Sequence, residues 1–215
     1  MKAAIFDMDG TLVETLETHL ASFMTVCKRH GIKIDPDFVK IRFGMTAREI
    51  FDDILKETGD LMDSKALADE KYAEYNRIVG KIKALPGAKT LIKALKKKGL
   101  KIGIATGAGR SNFEATIKAA GLDGLADATT TAEDGRGKPN PDLFLKAAEL
   151  LGVMAKECVV FEDAIFGIRA AKKAGMKVIA VVTGLTTKEE LEKEKPDRII
   201  DSLTEIKPEE IKAWN

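Results

Sequence analysis

The stretch Ala3-Ala4-Ile5-Phe6-Asp7-Met8-Asp9-Gly10-Thr11 decides how the rest of the chain is read. Four apolar residues run directly into two carboxylates separated by one residue. A short, continuously apolar run predicts a parallel strand buried on both faces. Its acids then lie at the carboxyl end of that strand, where open α/β sheets bind ligands. Positions i and i+2 of an extended chain face the same side, so Asp7 and Asp9 reach one site. Gly10 permits a sharp exit from the strand.

Working outward, the same kind of run recurs at 101–105 (KIGIA), 159–161 (VVF), 177–182 (KVIAVV) and, more briefly, 198–200. Helical patterns separate these runs. One covers 88–98 with Leu91, Ile92 and Leu95. A second covers 141–151, with Asn140 as N-cap and Pro141 at the first helical position. A third covers 164–174 and stops before Gly175. Ser111 and Glu114 have the spacing of a capping box. Strand and helix in alternation predict an α/β fold with a doubly wound parallel sheet.

Residues 14–80 break that rhythm and show only helical patterns. Leu16, Leu20, Phe23, Met24 and Cys27 form one apolar stripe. Thr46 and Glu49 form a capping box ahead of Ile50, Phe51, Ile54 and Leu55. Leu67, Lys71, Tyr75 and Ile78 line a third helix. The expected organisation is an α/β core of residues 1–13 and 81–215 with an inserted α-helical domain at 14–80. Pro86-Gly87 marks the return to the core.

Composition limits the function classes. The 215 residues are 45% hydrophobic and 32% charged, as in a globular protein with a real core. The 35 basic and 34 acidic residues leave a formal charge of +1, so no nucleic-acid partner is expected. No apolar run reaches the roughly 18 residues of a membrane span, and no membrane partner is expected. The apolar N-terminus meets Asp7 too early for a signal-peptide core. Cys27 and Cys158 form neither a metal pair nor a disulfide framework. A cytoplasmic setting follows as the expectation, with the chain a monomer or small homo-oligomer.

Other predicted strands also end in polar groups. Thr106-Gly107 follows KIGIA, Glu162-Asp163 follows VVF, and Lys138 stands in Gly137-Lys138-Pro139-Asn140-Pro141-Asp142. Taken singly, each has an ordinary reading as a turn, a helix cap or a loop lysine. Taken together, the strand ends gather Asp7, Asp9, Thr106, Lys138, Glu162 and Asp163 in one crevice. The set DMDGT, ATG, GKPNPD and FEDA resembles the four motifs of the haloacid dehalogenase superfamily, over nearly the whole chain. The helical block after the first motif is similar to that family's small cap.

The resemblance implies a phosphatase using Mg²⁺ on a small phosphorylated metabolite, of sugar phosphate or phosphoglycolate type. Asp7 and Asp163 suit a hard cation, and Glu162 binds it directly or through water. Asp7 is the expected nucleophile and Asp9 the acid and base. By the resemblance, Asp9 also offers the metal its backbone carbonyl. Thr106, Gly107 and Lys138 would hold the phosphoryl group. Thr15, His19 and Lys71 match positions used in the β-phosphoglucomutase branch, which makes a phosphosugar mutase the alternative. Arg48 falls one position away from a cap arginine of that branch. Gly107-Ala108-Gly109-Arg110 lacks the Lys-Asn pair that contacts sugar phosphate there. The plain reading of Lys71 is a stem lying on apolar surface with its ammonium in water. That of His19 is a partly buried structural histidine. A phospho-acceptor signalling domain is the rival from outside enzymology, disfavoured by the helical block over the nucleophile.

Overall fold

The computed structural model describes residues 1–80 and 82–214. Its centre is β1 (Ala3–Phe6), flanked by β2 (Lys101–Ala105) and β4 (Cys158–Glu162). β3 (Ala128–Thr130) lies outside β2, and β5 (Lys177–Val181) and β6 (Arg198–Ile200) lie beyond β4. The order β3-β2-β1-β4-β5-β6 is parallel throughout. The winding direction reverses at β1, and such a switch point opens a crevice at the carboxyl ends of the strands.

Side chains of the central strands alternate between two buried faces. Ala4, Phe6, Val159, Phe161, Ile179 and Val181 face one layer. Ala3, Ile5, Cys158, Val160, Val178 and Ala180 face the other. The first layer is closed by α5 (Ala88–Lys97), α6 (Arg110–Ala119) and α10 (Pro208–Ala213). The second is closed by α7 (Asp142–Leu151), α8 (Ile165–Lys173) and α9 (Lys188–Lys193). Phe6 and Phe161 stack with ring centres 4.6 Å apart, fixing β1 against β4. Each such buried side chain contributes about 1.5–3 kcal/mol of transfer free energy.

Between β1 and α5 lie α1 (Leu16–Arg29), α2 (Pro36–Lys40), α3 (Ala47–Thr58) and α4 (Ser64–Ile78). They enclose a separate apolar cluster that includes Phe23, Val26, Phe51, Ile54 and Leu67. The Thr46–Glu49 capping box opens α3 as the sequence predicts, and Gly59, left-handed at φ 75°, closes it. The expected core boundary at Lys81 lies outside the described residues, as does Asn215.

Two local expectations are corrected. Ser111 is already inside α6, whose N-cap is Gly109; no side chain caps it, and the Glu133 carboxylate accepts from the Arg110 N–H instead. Helix α7 begins at Asp142 rather than Pro141. Asn140 is drawn back into its own loop, its amide nitrogen donating to the Gly137 carbonyl at 3.0 Å.

Candidate active site

Register brings the strand ends level. Phe6 pairs with both Ile104 and Phe161, so Asp7, Thr106 and Glu162 emerge at the same edge of the sheet. The Asp7 N–H donates to the Phe161 carbonyl at 3.0 Å, and the Thr106 N–H to Thr130 at 3.0 Å. Backbone pairing thus extends to the residues that bear the chemistry.

Lys138 is fully buried and bridges two acids. Its Nζ donates to Asp7 Oδ1 at 2.5 Å and to Glu162 Oε2 at 2.7 Å. The other Glu162 oxygen accepts from the backbone N–H groups of Asp163 and Ala164 at 3.2 and 3.1 Å. Glu162 is therefore an anchor with both oxygens engaged. Asp163 accepts from the Thr11 hydroxyl at 2.7 Å. Gly10 and Gly184 hem in the same carboxylate, since a Cβ on either would fall onto Asp163 Oδ2.

Oxygen atoms of Asp7, Glu162 and Asp163 lie within 4.8 Å of one another, and all three residues are buried. Burial, reinforced by Glu162, pushes Asp7 up to about 8, and the same causes push Asp163 well above the usual carboxylate range. Burial works against the Lys138 ammonium, but its two carboxylates hold the proton on it more tightly than in water. One cation among three buried acids is why Asp7 and Asp163 hold their protons more tightly, and the hard oxygen donors they offer once ionised fit Mg²⁺.

Asp9 turns away from this trio. Its Oδ2 accepts from the Thr106 hydroxyl at 3.2 Å, and its Oδ1 meets the Thr15 hydroxyl and His19 Nε2, the latter at 3.0 Å. Burial alone would raise the Asp9 carboxyl, but His19 and the bond from Thr15 hold it below the usual range. Lys71 Nζ lies 2.6 Å from His19 Nδ1. Burial pushes Lys71 down to about 7, and burial and Lys71 together lower His19. The snorkelling account of Lys71 fails, because the residue is only 2% exposed and its ammonium lies among the rings of Phe23, Tyr72 and Tyr75.

The structure thus joins Asp7, Lys138, Glu162 and Asp163 in one cluster and Asp9, Thr106, Thr15, His19 and Lys71 in an adjoining one. Gly107 lines the same cavity, where a Cβ would stand 2.5 Å from the Met45 carbonyl oxygen. Arg48 is exposed and does not line it; Ala47 and Ile50 do. The sequence reading gave no role to Thr11 or to Thr183-Gly184. The signal for Thr183-Gly184 was the one used elsewhere, polar residues directly after an apolar strand. Thr183 Oγ1 donates to the Gly10 carbonyl at 2.6 Å and so braces the turn after β1.

A family model described as haloacid dehalogenase-like hydrolase matches residues 4–181. The chain belongs to that family. Among haloacid dehalogenase-like relatives, β-phosphoglucomutase of Bacillus subtilis is 33% identical over 86% of this chain and 84% of its own length. Fructose-1-phosphate phosphatase of Escherichia coli is 34% identical over 82% of this chain and 94% of its own. The chain also matches SUPPRESSOR OF QUENCHING 1, chloroplastic, of Arabidopsis thaliana at 34% identity, but spans only 18% of that protein. The crystal structure of a hydrolase from Pseudomonas syringae superposes with a TM-score of 0.88 at 30% identity, covering 94% of each chain. No helix among the described residues is long and apolar enough to cross a membrane.

Proposed function

We propose that this haloacid dehalogenase-like hydrolase is a Mg²⁺-dependent phosphatase acting on a small phosphorylated metabolite of sugar phosphate or phosphoglycolate type. The observation that carries the reading is Asp7, buried in an acidic trio and held by Lys138, with Asp9 two residues on and bonded to Thr106. Phosphatases among the relatives support it.

An Asp7 oxygen attacks phosphorus while the bond from phosphorus to the ester oxygen breaks, leaving an aspartyl-phosphate and an alkoxide. Asp9 gives its proton to that alkoxide. It then takes a proton from water as the water attacks phosphorus, and the Asp7–phosphorus bond breaks to release phosphate. His19 and the bond from Thr15 favour the ionised form of Asp9, the form required in the second step. Lys138 orients Asp7 and offsets charge on the phosphoryl group, and Thr106 and Gly107 border that group. Asp7 and Asp163, with the Asp9 carbonyl, would hold Mg²⁺; Glu162, already saturated, would act through water or through Lys138. When bound, the cation supplies positive charge that offsets repulsion between the attacking carboxylate and the dianionic ester.

The helices at 14–80 act as a cap in this reading. The cavity beneath them is about 50 Å³, enough for only a few waters, so the cap opens to admit an ester and closes to exclude bulk water. The buried, free cysteines Cys27 and Cys158 suit a reducing, cytoplasmic setting. The mutase alternative draws on Thr15 and His19 being bonded to Asp9, with Lys71 against His19. A screen of sugar phosphates, phosphoglycolate and nucleotides tests the reading. Inorganic phosphate should appear with Mg²⁺ and not with excess EDTA. No release from any ester, or full activity in EDTA, overturns it.

A further inference from the structure

The Thr46–Glu49 capping box does more than a capping box requires. One Glu49 oxygen, Oε2, closes the box by accepting from the Thr46 N–H at 2.9 Å and the Thr46 hydroxyl at 2.7 Å. The other, Oε1, leaves the helical block and accepts from the Gly137 N–H at 3.0 Å. Gly137 is buried and immediately precedes Lys138. A single carboxylate therefore ties the first turn of α3 to the loop that carries the buried lysine.

The seam around this bond is built for close approach. A Cβ on Gly137 would fall onto Glu49 Oε2 and come 2.5 Å from the Thr46 nitrogen. One on Gly107 would stand 2.5 Å from the Met45 oxygen. Gly137 and Gly107 have no left-handed φ, so their need for glycine is one of space.

We propose that Glu49 is a positioning residue that couples closure of the helical block to the placement of Lys138. The proposal rests on the phosphatase reading for its kinetic consequence, and on geometry alone for the contact. With the block closed, Oε1 fixes the Gly137 N–H and hence the direction from which Lys138 reaches Asp7 and Glu162. With the block open, that N–H loses its acceptor, and the lysine is less tightly directed. Competent geometry at Asp7 is then completed only when water is shut out.

Four variants separate this role from helix capping. Thr46→Ala removes the cap hydroxyl but leaves Glu49 facing Gly137. Glu49→Ala removes the carboxylate's half of the cap and the Gly137 acceptor together, and leaves the Thr46 hydroxyl to accept from the residue 49 N–H. Glu49→Gln keeps an acceptor oxygen for Gly137 while weakening the cap. Gly137→Ala leaves the Thr46 and Glu49 side chains in place and bars the approach of the whole cap to the loop. Amide exchange at Gly137, followed by NMR, reads the contact without any substrate. It should stay slow in wild type and Thr46→Ala and speed up about tenfold or more in Glu49→Ala, as expected for loss of a charged acceptor. An unchanged rate in Glu49→Ala overturns the proposal.

With Mg²⁺ and p-nitrophenyl phosphate, kcat should fall about tenfold or more in Glu49→Ala with KM changed less than about threefold, the signature of lost transition-state placement. Thr46→Ala and Glu49→Gln should stay within about threefold of wild type, although their Tm falls with the cap. Glu49→Ala combined with Gly137→Ala should be no worse than the poorer single variant. Equal loss of kcat in Glu49→Ala and Thr46→Ala, or additive effects in the double variant, overturns the proposal. A wild type that hydrolyses no ester defeats the phosphatase reading instead, and amide exchange still decides the contact.

Discussion

Asp7 and Lys71 are both buried ionisable groups, and their surroundings set opposite tests. Asp7→Asn keeps the shape and the Lys138 contact but removes the attacking oxygen's charge. Turnover should drop roughly a thousandfold or more, as when other covalent nucleophiles are removed, with an unaltered circular dichroism spectrum. Retention of a tenth of the wild-type rate, on the order of 1.4 kcal/mol, would remove Asp7 from its role. Lys71 lies deep among aromatic rings with no carboxylate at bonding distance; its folded value of about 7 is below the 10.5 of a free lysine. The unfolded chain therefore binds more protons between those values, and stability rises with pH across that window. Below about 7 both states are protonated and the full cost of burying the charge is present. Lys71→Met, similar in length and apolar, should raise Tm by several degrees at pH 6, the gain shrinking as pH climbs towards 10.5. A Tm difference that does not vary with pH would contradict the buried-cation account.

Helix α4 carries Lys71 and also docks the helical block on α6. The Tyr75 and Thr116 hydroxyls bond at 2.9 Å in a buried junction, and the Asn112 amide reaches the Tyr72 carbonyl nearby at 3.3 Å. Tyr75→Phe leaves the ring but strips Thr116 of that partner, which should cost about 1–3 kcal/mol and lower Tm by several degrees in calorimetry. An unchanged Tm would mean that this bond contributes nothing to the junction. How much was legible beforehand varied by element. Strands β1, β2 and β6 stand where their apolar runs place them, because burial on both faces leaves an unmistakable pattern. Strand β3 was invisible: its three residues, Ala-Thr-Thr, pair with a neighbour on one side only and carry no apolar run. Helix α2 was missed as a single short turn opened by the Asp35 cap. The Ser111–Glu114 pattern misled because Glu133, distant in sequence, satisfies the first N–H of α6. The strand-end acids were readable from the same logic as the strands, whereas Glu49's second bond depends on tertiary approach to Gly137 and leaves no local trace.

On the proposed function, the sheet order separates the chemistry from the choice of substrate. Reversal of winding at β1 gathers Asp7, Thr106 and Glu162 on one edge, so in the proposed mechanism the phosphoryl machinery belongs to the sheet. What faces it from the other side is mostly apolar: Leu16, Phe23, Phe43, Met45, Ala47 and Ile50. A mutase must hold a bisphosphate intermediate in two orientations, with cations for the phosphate remote from Asp7 and a wall of hydrogen-bond partners for the sugar. The arginine nearest that role, Arg48, is exposed, and Arg110 is bonded to Asp134 and to Thr129 outside the cavity. Lys71 is the one lysine or arginine of the helical block in the cavity lining among the described residues, and it is already in contact with His19. In the proposed mechanism a loosely gripped intermediate leaves before it can take phosphate back, and water then attacks the aspartyl-phosphate. The expected outcome is release of inorganic phosphate from several small phosphomonoesters, with little conversion of β-glucose 1-phosphate to glucose 6-phosphate. Both products should be followed with and without β-glucose 1,6-bisphosphate as primer. Isomerisation about tenfold faster than phosphate release, a difference near 1.4 kcal/mol in barrier height, would reverse the ranking and give Thr15, His19 and Lys71 the grip that the apolar wall denies.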